Sequence, residues 1–141
     1  MAGTLTKSPL APAHFPNLPP IDGVTFATIA AGVRYSGRTD VMLAKLVAGT
    51  SITGVFTKST TRAASVLDCQ SKLGGDTSAP AAILVNSGNA NAFTGKNGQD
   101  SVTAICNAVS NACDVPAGRV FTSSTGVIGD PLPHGRIIEN L

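Results

Sequence analysis

The chain has 141 residues, enough for one domain or a large part of one. Hydrophobic residues make up 43%, too many for a disordered chain, and charged residues only 13%, against about 25% in an ordinary globular domain, so part of the surface is expected to lie under a partner chain. A net charge of +2, no block of Lys or Arg and an aromatic content of 4% argue against nucleic-acid binding.

Residues 1–22 read as an extended arm, because Pro9, Pro12, Pro16, Pro19 and Pro20 deny it helix and ladder hydrogen bonds. No apolar run follows Lys7, so the arm is not a secretory signal, and no later stretch has the length of a membrane span. The cytosol is the default location. Residues 23–141 form the body of the domain.

Residues 24–33 are rich in β-branched and small side chains and predict a strand. Ser36-Gly37-Arg38-Thr39-Asp40 gives a turn, and residues 41–47 a second strand. Gly49 and Thr50 mark another turn before a third short strand over 52–57. Pro80 opens Ala81-Ala82-Ile83-Leu84-Val85, continuously apolar as a strand buried on both faces would be.

Val102, Ile105, Cys106, Val109, Ala112 and Cys113 recur at helical spacing and make one apolar stripe. Cys106 and Cys113 are therefore expected to pack in the core rather than react, with no basic residue nearby in sequence to lower a thiol pKa. Three cysteines without CxxC spacing, and the separate His14 and His134, make no zinc pattern and suit a reducing compartment. The helix should stop near Asp114, ahead of Pro116 and Gly118. Residues 119–122 predict a strand that Ser123-Ser124-Thr125-Gly126 breaks. Residues 136–141, with Ile137, Ile138 and Leu141 on one side, make a short segment stable only by packing. The pattern of strands followed by strand–helix–strand predicts an α/β fold, a mixed sheet with packed helices.

Two segments invite chemistry. Asn86-Ser87-Gly88-Asn89-Ala90-Asn91-Ala92-Phe93-Thr94-Gly95-Lys96 is read as a polar loop leaving the buried strand. It is not a phosphate loop: six residues separate Gly88 from Gly95, and Asn97 stands where the magnesium-binding hydroxyl should be. Turn formation by Asn and Gly explains it more simply. In the second, Thr125 offers an O–H and Gly126, lacking a Cβ, lets a ligand approach backbone N–H. Two convergent donors are what a developing oxyanion needs. There is no Gly-x-Ser-x-Gly elbow, and nothing in the sequence assembles a Ser–His–Asp set around His14 or His134. Donors are thus present without a nucleophile or base.

Gly32-Val33-Arg34, Gly37, Asp40, Gly54-Val55-Phe56-Thr57, Val85-Asn86-Ser87-Gly88-Asn89-Ala90-Asn91-Ala92, Thr94-Gly95 and Ser124-Thr125-Gly126-Val127-Ile128-Gly129 with Leu132-Pro133 follow in this order. Over about residues 22–141 the chain resembles the N-terminal part of the ornithine acetyltransferases, bifunctional glutamate N-acetyltransferases of arginine biosynthesis. The resemblance implies the α-chain portion of a larger Ntn-hydrolase-like layered fold. It implies a precursor that cuts itself, an N-terminal threonine nucleophile on a β chain, and ping-pong acetyl transfer from N-acetylornithine to glutamate in a cytoplasmic α2β2 assembly. It implies no cofactor, with acetyl-CoA a co-substrate in some members. By motif match, Thr125 and Gly126 are the oxyanion pair. The family's cleavage junction, and the substrate-contacting Thr and Lys before it, are expected beyond Leu141, so the chain reads as a shortened α chain or a fragment. Ser65 stands where the family favours Pro, at an expected strand start. The alternatives are a non-catalytic binding or assembly module of the same fold, and nucleotide binding at residues 88–96.

Overall fold

The computed structural model describes residues 8–141; residues 1–7 of the expected arm lie outside the described residues. Residues 8–22 carry no helix or strand, and Leu10, Phe15 and Leu18 are exposed.

Among the described residues, four strands make one mixed sheet in the order β1 (Val24–Ile29), β2 (Val41–Leu46), β3 (Ala81–Asn89) and β4 (Val120–Val127). The first three run antiparallel and β4 runs parallel to β3. A parallel pair needs a crossover, and α2 (Gly95–Cys113) supplies it. With α1 (Ala64–Lys72) and α3 (His134–Ile138) it covers one face of the sheet. The α/β class and the mixed sheet with packed helices expected above are what the chain forms.

The pleat sorts the side chains. Val41, Ala82, Leu84 and Val120 point to the helices and join Val102, Ile105, Cys106 and Val109 of α2 in the core. The opposite face carries Phe26, Met42, Leu46, Ile83, Val85 and Phe121; among the described residues no helix lies over it, although Phe121 itself is buried. Phe26 is 62% exposed there. The expectation that β3 is buried on both faces therefore holds for its helix side, while Ile83 and Val85 are only half-buried.

Two expectations about strands are corrected. Residues 52–57 are no strand: they meet no partner edge among the described residues, and Val55 is fully exposed. The region of Ser65 begins α1, not a strand. This helix protects the outer edge of β4, which would otherwise offer unpaired carbonyls to another chain. Cys69 Sγ donates to the Thr122 carbonyl at 3.3 Å. The Lys72 ammonium donates to the Val120 carbonyl at 2.9 Å, to Asp68 at 2.6 Å and to Cys106 Sγ at 3.3 Å, using all three of its N–H groups.

A basic residue does then sit beside Cys106, contrary to the sequence reading, because the fold brings Lys72 across from α1. The thiol is nonetheless held above its ordinary value: burial, helped by the Asp68 charge, raises Cys106 against the pull of Lys72. Burial likewise raises Cys69. For Lys72, burial favours the neutral amine, but the hydrogen bond to Asp68 and the neighbouring charges outweigh it and raise the group. Cys106 and half-buried Cys113 pack on or against the core as expected.

These shifts give a pH dependence of one sign. Thiols ordinarily titrate near 9.0 and the amine near 10.5. Raised in the fold, all three hold protons that the unfolded chain has already released. Their contribution to stability is complete below the thiol value and is lost as pH rises through the folded values. Melting temperature is expected to fall steadily above about pH 9, and replacing Lys72 and both thiols by Met and Ala should flatten that decline.

Candidate functional site

The two glycine-containing segments meet at the carboxyl ends of β3 and β4, the position where open α/β sheets place ligands. Both are more regular than their composition suggests. β3 runs through Asn86-Ser87-Gly88-Asn89, and β4 runs through Ser123-Ser124-Thr125-Gly126 to Val127 instead of breaking there. Asn86 pairs with Ser124, Ser87 with Thr125 and Gly88 with Gly126.

Three buried asparagines tie this end of the sheet to everything around it. Ser124 Oγ donates to Asn86 Oδ1 at 2.6 Å, and Asn86 Nδ2 donates to the Asn89 carbonyl at 3.0 Å. Asn89 Nδ2 reaches the Asp130 and Pro131 carbonyls, while its Oδ1 accepts from the Asn91 N–H at 2.7 Å. Asn91, fully buried and left-handed at φ 47°, donates to the Gly98 carbonyl and accepts from Thr94 Oγ1, and its own carbonyl accepts from the Ala64 N–H. The network thus fixes the first turns of α1 and α2 and the segment after β4. Asparagine suits it because one amide both donates and accepts and the residue tolerates left-handed backbone. The expected turn chemistry is present, but as a buried scaffold.

Asp40 anchors the neighbouring loop. Its carboxylate accepts from the Ala31 and Val33 N–H groups at 2.8 and 2.7 Å. Arg34, at the tip, bonds Asp130 at 2.8 Å, and the pairing holds the guanidinium up.

Thr125 is exposed at the end of β4, and its hydroxyl has no partner among the described residues. The pleat puts it on the open face of the sheet, opposite the helices. Gly126 sits at φ 136°, a conformation that disfavours any Cβ. A Cβ there would lie 2.6 Å from the Gly88 carbonyl oxygen and 2.5 Å from the Asn89 nitrogen. The need for glycine is therefore set by the β3 backbone, a reason the sequence did not disclose.

The sequence found nothing to assemble a serine–histidine pair, yet the fold brings Ser101 Oγ within 2.9 Å of His134 Nδ1. Ser101 is fully buried and gives its hydroxyl proton to the Asn97 carbonyl. The pair therefore docks α3 on α2 and offers no nucleophile. Among the described residues, no helix is long and apolar enough to cross a membrane.

Comparison with known proteins adds the wider context. A model of the ArgJ family matches residues 25–141. The arginine biosynthesis bifunctional protein ArgJ of Ruegeria pomeroyi is 65% identical over 141 residues, covering 100% of this chain and 35% of its own length. That of Nitrobacter winogradskyi is 50% identical over 127 residues, covering 89% of this chain and 30% of its own. The chain thus spans about a third of the length of these relatives. The crystal structure of ArgJ from Bacillus halodurans superposes with a TM-score of 0.77 at 30% identity, over 84% of this chain and 61% of that one. The ornithine acetyltransferase of Mycobacterium tuberculosis, in complex with ornithine, gives 0.77 at 34% identity, over 84% and 63%.

Proposed function

The chain belongs to the ArgJ family, and from that premise we propose that it supplies the oxyanion-stabilising part of an acetyl-transfer site, with Thr125 and Gly126 as donors. The observation that carries the reading is the free Thr125 hydroxyl at the carboxyl end of β4, beside an exposed glycine. The buried asparagines hold this strand end rigid, and a preorganised donor stabilises a transition state better than a mobile one.

The chain spans about a third of its relatives' length, and in a protein of that length the nucleophile would come from the part outside residues 1–141. We assign that role to the N-terminal threonine of a β chain. Its hydroxyl attacks the acetyl carbonyl of N-acetylornithine, and the carbonyl oxygen gains the negative charge that Thr125 O–H and Gly126 N–H receive. As the intermediate collapses the C–N bond breaks, ornithine leaves as the amine with the proton given up by the threonine hydroxyl, and an acetyl ester remains on the threonine. The amine of glutamate then attacks the ester through a second oxyanion at the same place; the acyl C–O bond breaks, the amine's proton returns to the threonine oxygen, and N-acetylglutamate leaves. No cofactor enters this scheme, and acetyl-CoA serves as an alternative donor to the same ester. The ornithine bound to the Mycobacterium tuberculosis relative supports the substrate class. The half-buried apolar face of the sheet, with exposed Phe26, and the low charge support a partner chain, and we place the assembly, an α2β2 heterotetramer, in the cytoplasm.

The test is an intact-mass spectrum of the complete protein beside an acetylornithine-to-glutamate transfer assay. Two polypeptides, one beginning with threonine, together with transfer, are expected. An uncut protein that binds a partner and transfers nothing would instead identify an assembly module of the same fold.

A further inference from the structure

A second hydroxyl shares the Thr125 end of the sheet. Ser87 in β3 is the direct register partner of Thr125 in β4. The hydrogen bond between Ser124 and Asn86 sets the preceding pair on the helix-covered face. Side chains alternate along a strand, so Ser87 and Thr125 stand together on the open face. The Ser87 main chain is fixed by its N–H bond to the Asp40 carbonyl at 2.8 Å, and Asp40 is itself buried and doubly bonded. The Ser87 hydroxyl, like that of Thr125, has no partner among the described residues.

The next pair inward on this face is Val85 and Ser123, so the two hydroxyls border the apolar floor formed by Val85, Ile83 and Phe121. Any segment that covers that floor takes water away from Ser87, which is already half-buried. A hydroxyl stripped of water without a new acceptor is unfavourable. Neighbouring strands lie about 4.8 Å apart, so register-matched side chains on one face start at about that separation. Two O–H groups at that separation, each bonding at about 2.8 Å, can converge on one oxygen.

We propose that Ser87 is a second hydroxyl donor to the acyl oxygen held by Thr125, so that a two-hydroxyl clamp grips the group being transferred. This rests on the role assigned to Thr125 above. Because the charge on that oxygen develops only in the transition state, the contact acts on kcat more than on KM.

The test is steady-state kinetics of the complete protein carrying Ser87→Ala, Ser87→Thr, Thr125→Ala and the double alanine variant. Ser87→Ala should lower kcat about tenfold with KM within about twofold. Ser87→Thr, which keeps a hydroxyl on the same face, should recover most of the loss. The double variant should lose less than the product of the single losses, since both groups serve one oxygen. If Ser87→Ala fails to fold, Ser87→Cys, similar in size but a weak donor, carries the same expectation. Unchanged kcat in Ser87→Ala beside a large loss in Thr125→Ala overturns the clamp and leaves the Thr125 assignment standing. A change confined to KM overturns it too. A silent Thr125→Ala removes the premise, and the clamp falls with it.

Discussion

Replacing Thr125 with alanine is expected to lower turnover of the complete protein by about 10²–10³-fold, the usual effect of removing one oxyanion donor. The melting temperature should not move. Within this chain the side chain is exposed and its hydroxyl bonds nothing among the described residues, so truncation removes none of the chain's own packing or hydrogen bonds. This separation of activity from stability distinguishes a catalytic role from a structural one. Thr125→Val, which keeps the shape and β-branching but not the hydroxyl, should be as impaired as alanine. Thr125→Ser should retain much of the activity. Kinetics indifferent to all three changes would sink the assignment.

The parts of the fold legible in the sequence are those whose burial follows a local period. The stripe from Val102 to Cys113 gives α2, and its stop at Asp114 is met by a left-handed C-cap at φ 53°. The runs in β1, β2 and the first half of β3 alternate or stay apolar as strands should. The short last segment forms α3 around buried Ile137. What the sequence hides depends on partners distant along the chain. Helix α1 has little apolar periodicity, and its place is set by Cys69 and Lys72 bonding carbonyls of β4 some fifty residues later. The first turns of α2 are polar in sequence, yet Gly98 and Ser101 are buried there because Asn91 and His134 bond against them. Residues 52–57 show the reverse failure: strand propensity without an edge to pair with yields no strand.

The site divides in the same way. Thr125 and Gly126 are recognisable as a hydroxyl and a glycine in one short segment, and their motif gives them a family role. Their scaffold is not recognisable in that segment, because Ser124 is held by Asn86 thirty-eight residues earlier. Ser87 was visible only as part of a polar segment that looked like a loop. Once β3 is seen to run to Asn89, strand register alone sets Ser87 beside Thr125.

Gly126→Ala is expected to fail in a different way from Thr125→Ala, by damaging the fold. The new methyl would be driven into the Gly88–Asn89 peptide, and a backbone angle of φ 136° is itself unfavourable to alanine. Neither neighbour is a flexible side-chain end that can step aside, so β3 and β4 must part where the asparagine network fixes them. A loss of about 3 kcal/mol or more is expected, seen as a large drop in melting temperature or as insoluble protein. Gly129→Ala is the control: its φ of 89° is also positive, but nothing lies within 4 Å of the added carbon. It should cost only the backbone strain, on the order of 1 kcal/mol. Near-equal stability of the two variants would mean that the close approach of β4 to β3 is not what requires glycine at 126. Since Gly126→Ala is expected to unfold the site, its loss of activity cannot identify an oxyanion donor. That conclusion has to come from Thr125, where the hydroxyl can be removed while the strand beneath it stays in place.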